Sequence, residues 1–160
     1  MEFDTVSVMS GAVVVLTDPF DRLRPEWQQS SGDWEVVGGV YRQTSSEMPA
    51  LSKFRFFNHG TNYSIFTRAR KIGGEEGFLV AFGMRDDKNY YWLNVGGWGN
   101  TLTRLEKCVR GNRAPFGPSI NTRIQTDRWY DVRIEVTGKR IQCFINGQRI
   151  IDLTDDGFGD

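Results

Sequence analysis

The chain has 160 residues, 39% of them hydrophobic and 25% charged, with 20 Lys+Arg against 20 Asp+Glu. That is one domain's worth of sequence, read as a single domain over 1–160, with enough apolar content for a packed core. Zero formal net charge argues against a nucleic-acid binder and a polybasic membrane-surface protein, and no apolar run approaches the ~20 residues of a spanning helix.

The 18 Gly, 11 Phe, 5 Trp and 5 Tyr suggest many turns joining β-strands. Two cysteines allow at most one disulfide, so this is not a disulfide-stapled scaffold. Residues 6–16 are apolar enough to imitate a signal-peptide core. However, Glu2 and Asp4 stand where a basic segment belongs, and no small-residue cleavage site follows cleanly. Residues 10–16 read as a strand, and the first few residues as added sequence or part of a neighbouring domain.

Strand signals then dominate in chain order. Residues 34–42 (WEVVGGVYR) form two short runs hinged at Gly38-Gly39, a hairpin. Residues 63–71 (YSIFTRARK) alternate, with Tyr63, Ile65, Thr67 and Ala69 on one face. Residues 78–84 (FLVAFGM) are apolar on both faces and predict a central strand. Residues 90–95 (YYWLNV) place Tyr91, Leu93 and Val95 on one face and Tyr90, Trp92 and Asn94 on the other. Residues 101–108 resume as a strand. Residues 110–120, with Gly111, Pro115, Gly117 and Pro118, predict a loop. Residues 129–136 (WYDVRIEV) alternate strictly, 140–145 return, and Asn146-Gly147 signals a hairpin to 148–153. No segment carries a helical period. The prediction is all-β: a two-sheet antiparallel β-sandwich.

Catalytic machinery is sparse. The one histidine, His59, rules out His-rich metal sites. A Cys108–His59 nucleophile pair competes with the favoured reading of an inert thiol and a loop histidine. Cys143 alternates with Ile141 and Ile145, as a buried small hydrophobe does. Neither Gly73-Gly74 nor Gly96-Gly97 precedes a helix, so neither is a phosphate cradle. A glycosidase needs paired carboxylates, and Glu75, Glu76, Glu106 and Asp131 are the candidates by location. Glu75 and Glu76 fall in a glycine-rich turn, and Asp131 shares an ion-pairing face with Arg133 and Glu135. Glu106 follows the aromatic strand, placed to share a surface with Trp92.

Residues 89–100 (NYYWLNVGGWGN) hold two Trp, two Tyr and three Asn in twelve positions. Sugar rings stack their C–H faces on aromatics, while their hydroxyls need amide, carboxylate and guanidinium partners. Trp92 and Asn94 on one strand face, with Trp98 and Asn100 on the glycine-flexed loop beyond, would make such a platform. The competing reading is a tryptophan of the sandwich core.

The block at 76–101 (EGFLVAFGMRDDKNYYWLNVGGWGNT), followed by Glu106-Lys107, closely resembles the concanavalin-A-like/laminin-G-like sandwich found as a non-catalytic module in bacterial α-L-arabinofuranosidases. Asp18–Phe20 with Trp27, residues 34–43, 69–74 and 128–151 match the same pattern, so the resemblance runs from about 18 to 152. It implies a jelly roll that binds plant cell-wall polysaccharide, hemicellulose or pectin and plausibly arabinose-containing, beside a covalently linked catalytic domain. It implies a secreted, periplasmic or cell-surface location. Its candidate ligand residues are Gln43, Trp92, Asn94, Trp98, Asn100 and Glu106.

Two features depart from the resemblance. Residues 58–62 (NHGTN) replace a loop that in such modules often carries a tryptophan, and residues 155–160 offer no obvious closing strand. Many sandwiches of this type hold a structural calcium, for which Asp18, Asp21 and Asp152 are the candidate ligands; the competing reading is solvated acidic termini. No other cofactor is required. The expectation is a binder rather than an enzyme. The alternatives are a small jelly-roll glycoside hydrolase using Glu106 and Glu75, and a structural spacer.

Overall fold

Alternation is the rule that builds this molecule. The computed structural model describes residues 1–46, 50–55 and 60–157. Among the described residues fourteen strands run in order: β1 Glu2–Ser10, β2 Val13–Asp18, β3 Trp27–Ser31, β4 Trp34–Val37, β5 Val40–Gln43, β6 Leu51–Phe54, β7 Asn62–Arg70, β8 Phe78–Asp86, β9 Asn89–Gly96, β10 Leu102–Val109, β11 Asn112–Asn121, β12 Trp129–Thr137, β13 Arg140–Ile145 and β14 Gln148–Thr154. The back sheet runs β14-β13-β12-β7-β1-β5-β4, with β2 also on β1. The front layer is a four-stranded sheet, β11-β10-β9-β8, and a separate pair, β3-β6. All paired strands are antiparallel.

The core forms where inward faces meet. Phe78, Phe82, Tyr91, Leu93, Val95 and Leu105 of the front sheet pack on Ala69, Tyr130, Val132, Ile134, Ile141 and Cys143 of the back. Toward β5 the core is aromatic: Tyr41 stacks on Phe20 at 5.2 Å, and Trp27 and Trp34 lie within 5.4 and 4.8 Å of it. The predicted hairpins at Gly38-Gly39 and Asn146-Gly147 are present. Asn146 and Gly147 both take the left-handed backbone that such a two-residue turn demands (φ 51° and 78°).

Four expectations are corrected. Residues 10–16 are no single strand: the chain reverses at Gly11-Ala12, and β2 pairs back on β1. Residues 2–9 are integral, because β1 lies between β7 and β5 in the back sheet. Residues 110–120, expected as a loop, fall mostly in edge strand β11, which pairs with β10. An edge tolerates Pro115 and Pro118, and a register shift absorbs the irregularity. β8, expected to be central, is the edge of its sheet. Its second apolar face has another cause: Leu79 and Met84 pack over Tyr90 and Trp92.

The front layer is therefore split. β6 and β8 run beside a cavity of about 410 Å³ that reaches Trp92 on one side and core residue Thr67 on the other. Lys53 of β6 bridges the gap to Asp87, in the turn after β8.

Candidate functional site

Since Tyr91, Leu93 and Val95 of β9 enter the core, Tyr90, Trp92 and Asn94 must point outward from the front sheet. The β9–β10 register sets Arg104 beside Asn94, Glu106 beside Trp92 and Cys108 beside Tyr90. β11 adds Arg113 beside Cys108. The outer face thus carries a compact group of amide, carboxylate and guanidinium side chains around an indole.

These polar groups are buried yet poorly satisfied. Asn94 and Glu106 are each only 7% exposed. Among the described residues neither side chain makes a hydrogen bond, and Glu106 has one long ion pair, 3.8 Å to Arg113 Nε. Trp92 Nε1 and Arg104 Nε are shielded from solvent and have no partner. Buried polar groups are normally hydrogen-bonded, so these two donors stand out on the face. Burial, then the neighbouring Cys108, pushes the Tyr90 hydroxyl above its usual range.

Beyond β9 the chain makes a left-handed turn at Gly97–Asn100. Trp98 (φ 53°) and Asn100 (φ 61°) occupy a region that costs a side-chain-bearing residue roughly 1–2 kcal/mol. Side chains and backbone over-determine it. Asn100 Nδ2 donates to the Ile124 carbonyl at 2.8 Å, and Asn100 Oδ1 accepts from Ile124 N at 2.7 Å. The Thr101 hydroxyl donates to Trp98 O at 2.8 Å, and Gly99 N donates to Glu76 Oε1 at 3.3 Å. The result presents Trp98, 39% exposed, with one ring face on the Arg104 guanidinium 3.8 Å away.

Of the expected ligand residues, Trp92, Asn94, Glu106 and Trp98 come together on this face, and two do not join them. Gln43 is buried in the back sheet opposite Trp34, and its amide donates to Ser45 O at 2.8 Å. Asn100 spends its amide on Ile124. Trp92 is 2% exposed and covered by packing, so it is no open stacking surface; Trp98 is the accessible ring.

Asp18, Asp21 and Asp152 do not form a ligand set. Asp18 accepts from Phe20 N at 2.9 Å and from Trp27 Nε1 at 2.8 Å. Asp152, on β14, is held by Arg140 of β13, and β1, β7, β12 and β13 stand between β14 and β2. Among the described residues no cluster of three or more His, Cys, Asp or Glu is placed to hold a metal ion. His59 lies outside the described residues. Glu75 is in the exposed loop before β8, whereas Glu106 is on β10 beside Trp92.

The sequence reading missed Arg104 and Arg113. The period-two signal was present for Arg104, two residues before Glu106 on one strand. Arg113 fell in the segment taken for a loop.

Two antiparallel layers around an aromatic core, with this polar, tryptophan-walled face turned outward, define a jelly-roll β-sandwich. The family described as 3-keto-alpha-glucoside-1,2-lyase-like domain matches residues 26–159, and the chain belongs to it. An extracellular exo-alpha-L-arabinofuranosidase of Streptomyces chartreusis is 33% identical over 156 residues, or 96% of this chain. The chain spans only 19% of that curated relative's length. The likeness of residues 76–101 to modules of bacterial arabinofuranosidases is thus borne out. The carbohydrate-binding module CBM66 from Bacillus subtilis shares the fold, with a TM-score of 0.61, 20% identity, and coverage of 88% of this chain and 86% of that one.

Proposed function

We propose that this chain is a non-catalytic carbohydrate-binding module. It holds plant cell-wall polysaccharide, hemicellulose or pectin, on the outer face of the front sheet, for a glycoside hydrolase to which it is covalently joined. One observation carries the proposal: Asn94 and Glu106, without side-chain hydrogen bonds among the described residues, and the unpartnered Arg104 Nε lie together beside the accessible Trp98 ring. A sugar supplies both missing halves, hydroxyls for the polar groups and a C–H face for the indole. Desolvation makes each such contact weak, so the benefit to the attached enzyme is raised effective concentration at the polymer. The extracellular relative supports a secreted location.

Hydrolysis by Glu106 and Glu75 finds no support: a glycosidase needs two carboxylates flanking one bond, and Glu106 is on the outer face of β10 while Glu75 is in the exposed loop before β8. A spacer would have no use for unpaired buried donors. Affinity electrophoresis on arabinan, arabinoxylan, xylan, pectin and β-glucan tests the proposal. Retardation on at least one polymer, lost in a folded Trp98→Ala variant and without release of reducing ends, is the expected result. No retardation on any polymer overturns it.

A further inference from the structure

We infer that the outer face selects an acidic sugar, a residue bearing a carboxylate such as a uronate, and that Arg104 is the group that pairs with it. The inference rests on the carbohydrate-binding proposal and narrows it.

The charge balance of the face points this way. It holds two guanidiniums, Arg104 and Arg113, and one carboxylate, Glu106. Glu106 faces Arg113 in a long ion pair of 3.8 Å, so these two charges offset each other. Glu76, near the Trp98 turn, is engaged by Gly99 N–H. Lys107, next along β10, turns the other way and pairs with Asp155. Arg104 is left with no ion-pair partner among the described residues.

The donor count agrees. The two side-chain atoms on this face that are shielded and unpartnered, Arg104 Nε and Trp92 Nε1, can only donate. Asn94, beside Arg104 in the register, brings a further amide without a side-chain hydrogen bond. A neutral sugar hydroxyl both donates and accepts and carries no charge. A carboxylate accepts through two oxygens, and guanidinium–carboxylate hydrogen bonds are among the stronger ones. The Arg104 guanidinium lies over the Trp98 ring, its carbon 3.8 Å from the ring centroid, which sets its charge beside the accessible indole. Because the chain is neutral overall, this preference arises from the face and not from a general attraction to polyanions.

The test compares polygalacturonate and glucuronoxylan with the same polymers after chemical reduction of their carboxyl groups, and with neutral arabinan and xylan. Affinity electrophoresis and titration calorimetry on the intact chain provide the readout. The expected result is binding to an acidic polymer that weakens by roughly tenfold or more on carboxyl reduction and falls as salt is raised. Arg104→Met should bind native and reduced polymers alike, and Arg104→Lys should not restore full discrimination. If Arg104→Met fails to fold, the wild-type comparison of native and reduced polymer decides alone. Equal binding to both forms, or binding only to neutral polymers, overturns the inference and leaves the binding module standing. No binding to any polymer overturns both.

Discussion

The guanidinium of Arg113 lies over the Trp92 ring, 4.7 Å from its centroid, while Leu51, Leu79 and Met84 pack around the same cluster. The most suggestive aromatic of the sequence is therefore a packing element. Trp98, one turn beyond, is the ring open to a ligand.

The two tryptophans should separate cleanly. Trp92→Ala is expected to cost about 3–5 kcal/mol of stability in urea denaturation, the usual range for emptying an aromatic site in a core. Trp98→Ala should stay within about 1 kcal/mol of wild type and still abolish retardation on the bound polymer.

Two glycines should also part ways. A Cβ on Gly77 would lie 2.1 Å from the Val95 carbonyl oxygen, which is backbone and cannot yield. Gly77→Ala is expected to lower stability by about 3 kcal/mol or more in thermal or urea melts. A Cβ on Gly97 would meet the Asn94 side-chain amide at 2.5 Å, and that amide can rotate away. Gly97→Ala should therefore fold and bind polymer more weakly.

Asn100 holds the turn and does not touch ligand. Asn100→Ala loses both hydrogen bonds to Ile124 and keeps the left-handed strain, for an expected loss of about 2–3 kcal/mol in a denaturant melt. Asn100→Gly relieves the strain and should recover about 1 kcal/mol of that.

Acid should loosen the back sheet at Glu2. Burial alone would raise this carboxyl, but hydrogen bonds and charge from Arg70 and Arg42 outweigh burial and hold it below the usual 4.5. A carboxyl depressed in the folded state stabilises fully above its unfolded value and loses that contribution as pH falls through the folded one. Stability should therefore decline below about pH 4.5. Glu2→Gln should cost about 2–3 kcal/mol at neutral pH and flatten that decline, since both arginines are a third exposed.

Both thiols should be silent in the native protein. Cys108 and Cys143 are buried, and burial pushes the Cys143 thiol up to about 12. Ellman's reagent at mildly alkaline pH should find no thiol before denaturation and two after it, because the thiolate is the reactive form.

Alternation made much of this legible. It assigned Tyr91, Leu93 and Val95 to the core and put Trp92, Asn94 and Glu106 on a shared outer surface. What it does not carry is the identity of the neighbour across a face. Leu51 covers the Trp92 cluster from a distant part of the chain, so burial there was invisible in sequence. Pro115 and Pro118 disguised an edge strand as a loop and hid Arg113 with it. The amides of Gln43 and Asn100 looked like ligand donors because their partners, the carbonyls of Ser45 and Ile124, are backbone groups that every sequence has.

The split between β6 and β8 sets how disturbance travels through the module. Hydrogen-bond ladders transmit cooperativity only where they are continuous, and the front layer has two ladders on a common back sheet. The β3–β6 pair shares no ladder with β8–β11 and meets that sheet through the Lys53–Asp87 ion pair and through Leu51, which packs on the Tyr90, Trp92 and Cys108 cluster. The Asn94–Arg104–Glu106 face draws its backbone hydrogen bonds from the four-stranded ladder alone.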